Sequence, residues 1–167
     1  MKEEEEILNY GILDLPAPEL EVQQWVDADG EQIEPIKLSQ FEGKYKLLFC
    51  FQTWCKGSRE EGFPAMQKLV KALGLNKNIV FFAIQTAFEG LESNTFEKAK
   101  AFQKQFDLKI PFGHDVGDTN TGLLPSTLIN YNTGGTPWFI LIDPENDVVY
   151  NDYGIDTKNV IAHFEGM

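Results

Sequence analysis

Two cysteines, Cys50 and Cys55, carry the nucleophilic chemistry open to this sequence. Cys55 lies in the run Phe51-Gln52-Thr53-Trp54-Cys55-Lys56-Gly57-Ser58-Arg59-Glu60-Glu61. A thiolate, not a thiol, attacks disulfides and oxidants, so the question is which cysteine is placed to ionise. Leu47-Leu48-Phe49-Cys50-Phe51 is a continuous apolar run of strand length, which predicts a strand covered on both faces. Residues 56–73 then carry Phe63, Met66, Leu69, Val70 and Leu73 at helical spacing, with Gly74 as a stop. Cys55 therefore falls where a strand ends and a helix begins. Backbone N–H groups in a first helical turn have no intrahelical acceptor, and the helix dipole favours an anion there. Cysteines so placed have pKa values of about 3.5–7.5 instead of about 8.5. Lys56 and Arg59 add positive charge nearby.

Cys50, inside the apolar run, reads as a small core hydrophobe. It does not substitute as a disulfide partner, because bridging needs Cα atoms within about 7 Å and it lies in a strand before the turn. Ser58 stands one helical turn beyond Cys55. Its hydroxyl can donate a hydrogen bond to a thiolate but cannot form a disulfide. Cys55 can thus attack a disulfide or be oxidised to sulfenic acid, and release then falls to an external thiol. His114 beside Asp115 raises a Cys–His arrangement; a loop histidine capped by its neighbouring aspartate is the simpler reading.

The elements that must position these groups follow from periodicity. Leu20 to Val26 alternates as a half-buried strand, Asp27-Ala28-Asp29-Gly30 reads as a turn, and a short strand follows near Ile33 to Lys37. Ser39 is a candidate cap for a short turn of helix at Gln40 to Glu42. Ile79 to Ile84 is a second buried strand, and Ser93 to Phe106 a helix with Phe96, Ala99, Phe102 and Phe106 on one stripe. Lys109 to Phe112 reads as a short extended piece, and Thr121 to Tyr131 as partly helical, bent at Pro125. Trp138 to Ile142 and Val148 to Tyr150 flank a turn at 143–147, and Asp156 caps a closing helix to Phe164. Alternating strands and helices followed by a hairpin predict an α/β domain: a mixed sheet with helices on both faces. One domain over residues 20–167 is expected, after an N-terminal tail over residues 1–19.

Composition excludes several partners. Lys and Arg number 14 against 26 Asp and Glu, a net charge of −12, which repels phosphate backbones and anionic lipid surfaces. Neither nucleic acid nor a membrane is an expected partner. Cys50, Cys55, His114 and His163 do not amount to a structural zinc site, and no apolar run of about 18 residues suggests a membrane span. Met1-Lys2-Glu3-Glu4-Glu5-Glu6 lacks the basic-then-apolar shape of a secretory leader. The expected location is cytoplasmic, or extracytoplasmic with a leader missing from this sequence.

The segment from Phe51 to Glu61 resembles the active-site segment of TlpA-like thiol–disulfide oxidoreductases and the broader redoxin (AhpC/TSA-like) group, whose pattern is W-C-x-x-C-x-x-E-x-P. Trp54 and Cys55 match, Glu61 falls on the family glutamate, and Pro64 matches if one extra residue is allowed. Ala17-Pro18-Glu19-Leu20 resembles the entry segment of redoxins, Ile110-Pro111-Phe112-Gly113-His114-Asp115 their pre-helix strand and aspartate, and Gly135-Thr136-Pro137-Trp138 their cis-proline strand. The resemblance implies a thioredoxin fold with an N-terminal β-hairpin extension and a cis Thr136–Pro137 bond. It implies a peptide-like substrate bound at Trp54, Thr136 and Pro137, and Cys55, Ser58 and Glu61 as the catalytic set. Glu61 then assists proton transfer, or is simply a solvated helix charge. No cofactor or metal is implied; the expected partners are proteins or low-molecular-weight thiols and disulfides. Ser58 in place of the second family cysteine makes a monothiol oxidoreductase the leading reading.

Two other readings compete. A one-cysteine peroxiredoxin would share the fold, but Leu48 and Gln52 stand where P-x-x-x-T/S-x-x-C requires Pro and Thr, and Arg59 is the single arginine. A non-catalytic module would dock clients at Pro137 without turnover, and would have no need of Trp54-Cys55. Copper-chaperone spacing is absent, and Cys55-Lys56-Gly57-Ser58 differs from the C-G-F-S of monothiol glutaredoxins.

Overall fold

The computed structural model of the chain describes residues 10–118 and 120–167. Its strands are β1 (Gln24–Val26), β2 (Gln32–Ile33), β3 (Tyr45–Phe51), β4 (Ile79–Ala87), β5 (Phe112–Val116), β6 (Trp138–Ile142) and β7 (Val148–Asp152). The α-helices are α1 (Phe63–Leu73), α2 (Phe96–Gln105), α3 (Ser126–Tyr131) and α4 (Thr157–Glu165). The strands form one mixed sheet in the order β2-β1-β5-β4-β3-β6-β7. β3, β4 and β5 are parallel neighbours, β6 and β7 run antiparallel beyond β3, and the β1–β2 hairpin pairs antiparallel with β5. This is the mixed α/β sheet with an added N-terminal hairpin that the sequence predicts.

The apolar run of β3 is explained by the two layers it separates. Leu47, Phe49 and Phe51 pack with Phe63, Met66 and Leu69 of α1, Ala99 of α2 and Phe164 of α4. Leu48 and Cys50 point the other way, into a second core with Trp25, Phe82, Tyr131 and Trp138. A strand with both faces covered needs no polar alternation. Phenylalanines tie the first core to the site, with Phe63 stacked on Phe106 at 4.3 Å and against Phe49 edge-on at 5.0 Å.

Several boundaries differ from the sequence reading, each for a local reason. Ladder pairing of β1 covers Gln24–Val26 alone, while the carbonyls of Leu20 and Val22 are taken by Lys37 Nζ (2.9 Å) and Trp25 Nε1 (3.0 Å). β2 is shorter than Ile33 to Lys37. The 3-10 turn spans Leu38–Phe41, so Ser39 lies inside it; the Glu19 carboxylate accepts from the Leu38 and Ser39 amides instead. The second helix starts after Thr95, whose hydroxyl accepts from Lys98 N at 3.1 Å. β5 begins at Phe112, not Lys109, since Pro111 has no N–H to give a ladder. Pro125 precedes α3 instead of bending it, and the Asp115 carboxylate accepts from the amides of Ser126 (3.2 Å) and Thr127 (2.7 Å).

Residues 1–9 of the expected tail lie outside the described residues. From residue 10 the chain is tied down: Gly11 N donates to Asn132 O at 2.7 Å, and Asp14 N and Val148 N exchange bonds with Val148 O and Leu15 O.

Candidate functional site

β3 delivers the chain to one end of the sheet, and a tight turn follows. Cys55 N donates to Gln52 O at 3.1 Å, and the helix opens with Arg59 N donating to Cys55 O at 3.2 Å. Residues 56–73 are helical throughout, but Ser58–Gly62 is a π turn closed by the Phe63 amide on the Ser58 carbonyl. A π turn holds one more residue than an α-turn. That accounts for Pro64 standing one place late in the W-C-x-x-C-x-x-E-x-P pattern. Gly62 permits the close packing here: a Cβ on it would stand 2.7 Å from Phe49 Cε1 and 2.8 Å from Pro137 Cβ.

The Cys55 sulfur sits between the helix start and the loop before β6. Ser58 N donates to Sγ at 3.4 Å, and the thiol donates to the Thr136 carbonyl at 3.3 Å. The Thr136–Pro137 peptide is cis. Burial, which leaves Cys55 8% exposed, pushes its pKa up, and the thiol's bond to a carbonyl acts in the same sense. The Ser58 and Thr136 side chains and the Gly57 and Ser58 amides pull it down and prevail, so the thiol titrates below its ordinary value. The lowering comes from these hydrogen bonds; Lys56 and Arg59, expected to contribute, are exposed.

A buried polar network that the sequence reading missed braces this turn. Gln52 Oε1 accepts from Asn94 Nδ2 (3.1 Å), Trp54 Nε1 (3.2 Å) and the amides of Phe88 and Glu89 (both 3.4 Å), while its Nε2 donates to Thr136 Oγ1 at 3.5 Å. Asn94 Oδ1 in turn accepts from Thr53 N at 2.7 Å and Thr53 Oγ1 at 2.9 Å. Gln52 thus links the cysteine turn, the β4–α2 loop and the Thr136 loop. The available signal was a glutamine closing an apolar run; Asn94, 42 residues away, had none.

A profile of the AhpC/TSA family matches residues 13–151. The thiol-disulfide oxidoreductase ResA of Bacillus cereus is 31% identical over 138 residues, covering 83% of this chain and 69% of ResA. The chain belongs to the AhpC/TSA family. Among solved structures, a thioredoxin-like superfamily protein is 30% identical with a TM-score of 0.75, covering 92% of this chain and 97% of its own. A thiol-disulfide isomerase from Corynebacterium glutamicum is 26% identical with a TM-score of 0.73, covering 89% and 96%. This chain is a TlpA-like redoxin with a thioredoxin fold, related to thiol–disulfide oxidoreductases.

The remaining candidate residues of this redoxin lie as follows. Trp54 is 44% exposed beside Cys55, its indole N–H also donating to Glu89 O at 3.1 Å. Ser58 occupies the second cysteine position, fully buried, its Oγ accepting from Gln52 N at 3.4 Å. Glu61 is exposed on the π turn, and among the described residues no hydrogen bond or ion pair joins it to Cys55. Cys50 is a free thiol in β3, its pKa pushed up by burial and, less, by Asp115. His114 is not a loop residue. It lies on β5, where Gln85 Nε2 donates to its Nδ1 at 2.9 Å, and Asp115 is engaged in capping α3. Burial lowers the His114 pKa against the opposing pull of Asp115. With β4 between them, His114 and Cys55 form no Cys–His pair. No helix among the described residues is long and apolar enough to cross a membrane.

Proposed function

We propose that this protein is a monothiol thiol–disulfide oxidoreductase that works through Cys55 alone. One observation carries the reading: a sulfur at a helix start, hydrogen-bonded by Ser58 N at 3.4 Å, with a serine where dithiol relatives would hold the second cysteine. The Cys55 thiolate attacks one sulfur of a client disulfide. A Cys55–client disulfide forms, and the second client sulfur leaves as a thiolate. Ser58 stabilises the attacking thiolate and cannot displace the client. External thiols therefore complete the cycle: one displaces the client as a thiolate and is left bonded to Cys55, and a second removes it as a disulfide and returns Cys55 to its reduced state. Trp54 is half-exposed and next to Cys55 in the chain, and the Thr136–Pro137 loop lies at the sulfur, which supports their role in holding a peptide-like client. The names of the relatives support protein or small thiol and disulfide substrates. Glu61, exposed on the same helix, acts on protons only through solvent.

The test is reduction of insulin by dithiothreitol with native protein and Cys55→Ser, with intact-mass analysis of quenched samples. Native protein should turn over slowly and accumulate adducts on Cys55, and Cys55→Ser should do neither. Equal behaviour of the two, with no adduct on either, would replace this reading with a docking module that binds clients without chemistry.

A further inference from the structure

Beside the Cys55 turn lies a cavity of about 370 Å3 lined by Thr53, Trp54, Arg59, Ser93, Lys98, Phe102 and Gln105. Its chemistry is out of character for the molecule. The chain has 26 acidic residues, and four other cavities of its described surface each include at least one of them. This cavity has none, and it holds the single arginine together with a lysine. Among the described residues neither Arg59 nor Lys98 has an ion-pair partner; the nearby Lys100, by contrast, is bound to Glu97 at 2.9 Å. Nor is Arg59 among the groups that hold the Cys55 thiol down. Two uncommitted cations and an indole, in a space within the range of small-ligand sites, ask for an anion with some apolar body. Arg59 lies one turn along the helix from Cys55, its amide on the Cys55 carbonyl. Thr53 and Trp54, which lead into Cys55, line the cavity, so an occupant sits against the cysteine turn.

We infer that this cavity is the carboxylate subsite for the external thiol of the proposed cycle, and that this thiol is a small, carboxylate-bearing one. The inference rests on the monothiol reading. The thiolate of the small thiol attacks Sγ of Cys55 in the Cys55–client disulfide; the client leaves as a thiolate and Cys55 is left bonded to the small thiol. A second small thiolate attacks the small thiol's sulfur, forms the small-molecule disulfide and releases the Cys55 thiolate. Client disulfide is the oxidant, two small thiols are the reductant, and the electrons balance. Arg59 and Lys98 bind the carboxylates and Trp54 covers the chain between them.

Reaction of the reduced protein with small disulfides tests this, the adduct on Cys55 being followed by intact mass. The probes are glutathione disulfide, which carries carboxylates, 2-hydroxyethyl disulfide, which is neutral, and cystamine, which is cationic. The readout is the ratio of the glutathione disulfide rate to the 2-hydroxyethyl disulfide rate. Arg59→Gln with Lys98→Gln should lower that ratio about tenfold, and 0.5 M salt should lower it in native protein. Cystamine should move in the opposite sense. Lys104→Gln, a surface charge outside this cavity, should leave the ratio as it is. A ratio unchanged by the double variant overturns the subsite while leaving the monothiol reading intact. Absence of any Cys55 adduct with all three probes sinks both.

Discussion

Cys50 and Cys55 lie five positions apart in the chain and have opposite chemistry. Cys50 faces Ile84 and Trp138 across the sheet ladders and is wholly enclosed, so ionising it would strand a charge in hydrocarbon. Cys55 is also largely covered, yet its sulfur meets the Ser58 amide and the Thr136 loop. Burial pushes both thiols up, the wholly enclosed Cys50 further than Cys55; only Cys55 has groups arranged to offset it. Burial acts in the same direction on both thiols, so what turns one of them downward is the first helical turn and the Thr136 loop around its sulfur.

The largest effect that could break this contrast is on turnover. Cys55→Ser should abolish insulin reduction, whereas Cys50→Val, nearly matched in volume, should keep it within about twofold and cost under about 1.5 kcal/mol of stability by urea unfolding. Activity that followed Cys50 would overturn the assignment. Ser58→Cys sharpens the contrast by giving Cys55 a partner one turn away. Insulin reduction should rise about tenfold and mixed disulfides should disappear from quenched samples.

Smaller effects probe the surroundings of each thiol. Gly62→Ala should destabilise by about 1–3 kcal/mol in thermal or urea unfolding and slow Cys55 alkylation, because its methyl would collide with Phe49 and the Pro137 ring. The two thiols should also tilt alkaline stability in opposite directions. For Cys50, raised in the fold, stability falls above about pH 8.5 by about 1.4 kcal/mol per pH unit, since only the unfolded thiol ionises. For Cys55, lowered in the fold, stability rises with pH from its folded value up to about 8.5, and is lost as pH falls back through that value. Urea unfolding between pH 7.5 and 9.5 should therefore show Cys50→Val losing the alkaline decline and Cys55→Ser losing the rise.

Much of this was legible in the chain, for identifiable reasons. The apolar run of β3 and the heptad-like stripe beyond it are local patterns, and together they located Cys55 at a helix start. The Asp143–Asp147 turn and the Asp156 cap rest on short-range hydrogen bonds, Asp143 Oδ1 from Asp147 N and Asp156 Oδ1 from Asn159 N. What escaped was long-range. Asn94 looked like part of a helix start because its partner, Thr53, is distant in the chain. His114 looked like a loop residue because its strand is fixed by pairing with β4 and not by apolar alternation. The extra residue before Pro64 looked like a mismatch, and only the backbone reveals a π turn.

Alkylation against pH shows whether the fold activates one thiol and silences the other. Reduced native protein would be treated with iodoacetamide between pH 5 and 10, and the rate at each cysteine read by peptide mass analysis. The Cys55 midpoint should lie below about 8.5 and move upward in Ser58→Ala, with Cys50 unmodified until the protein unfolds. A Cys55 midpoint at or above about 8.5, or Cys50 labelled in the folded state as fast as Cys55, would contradict it.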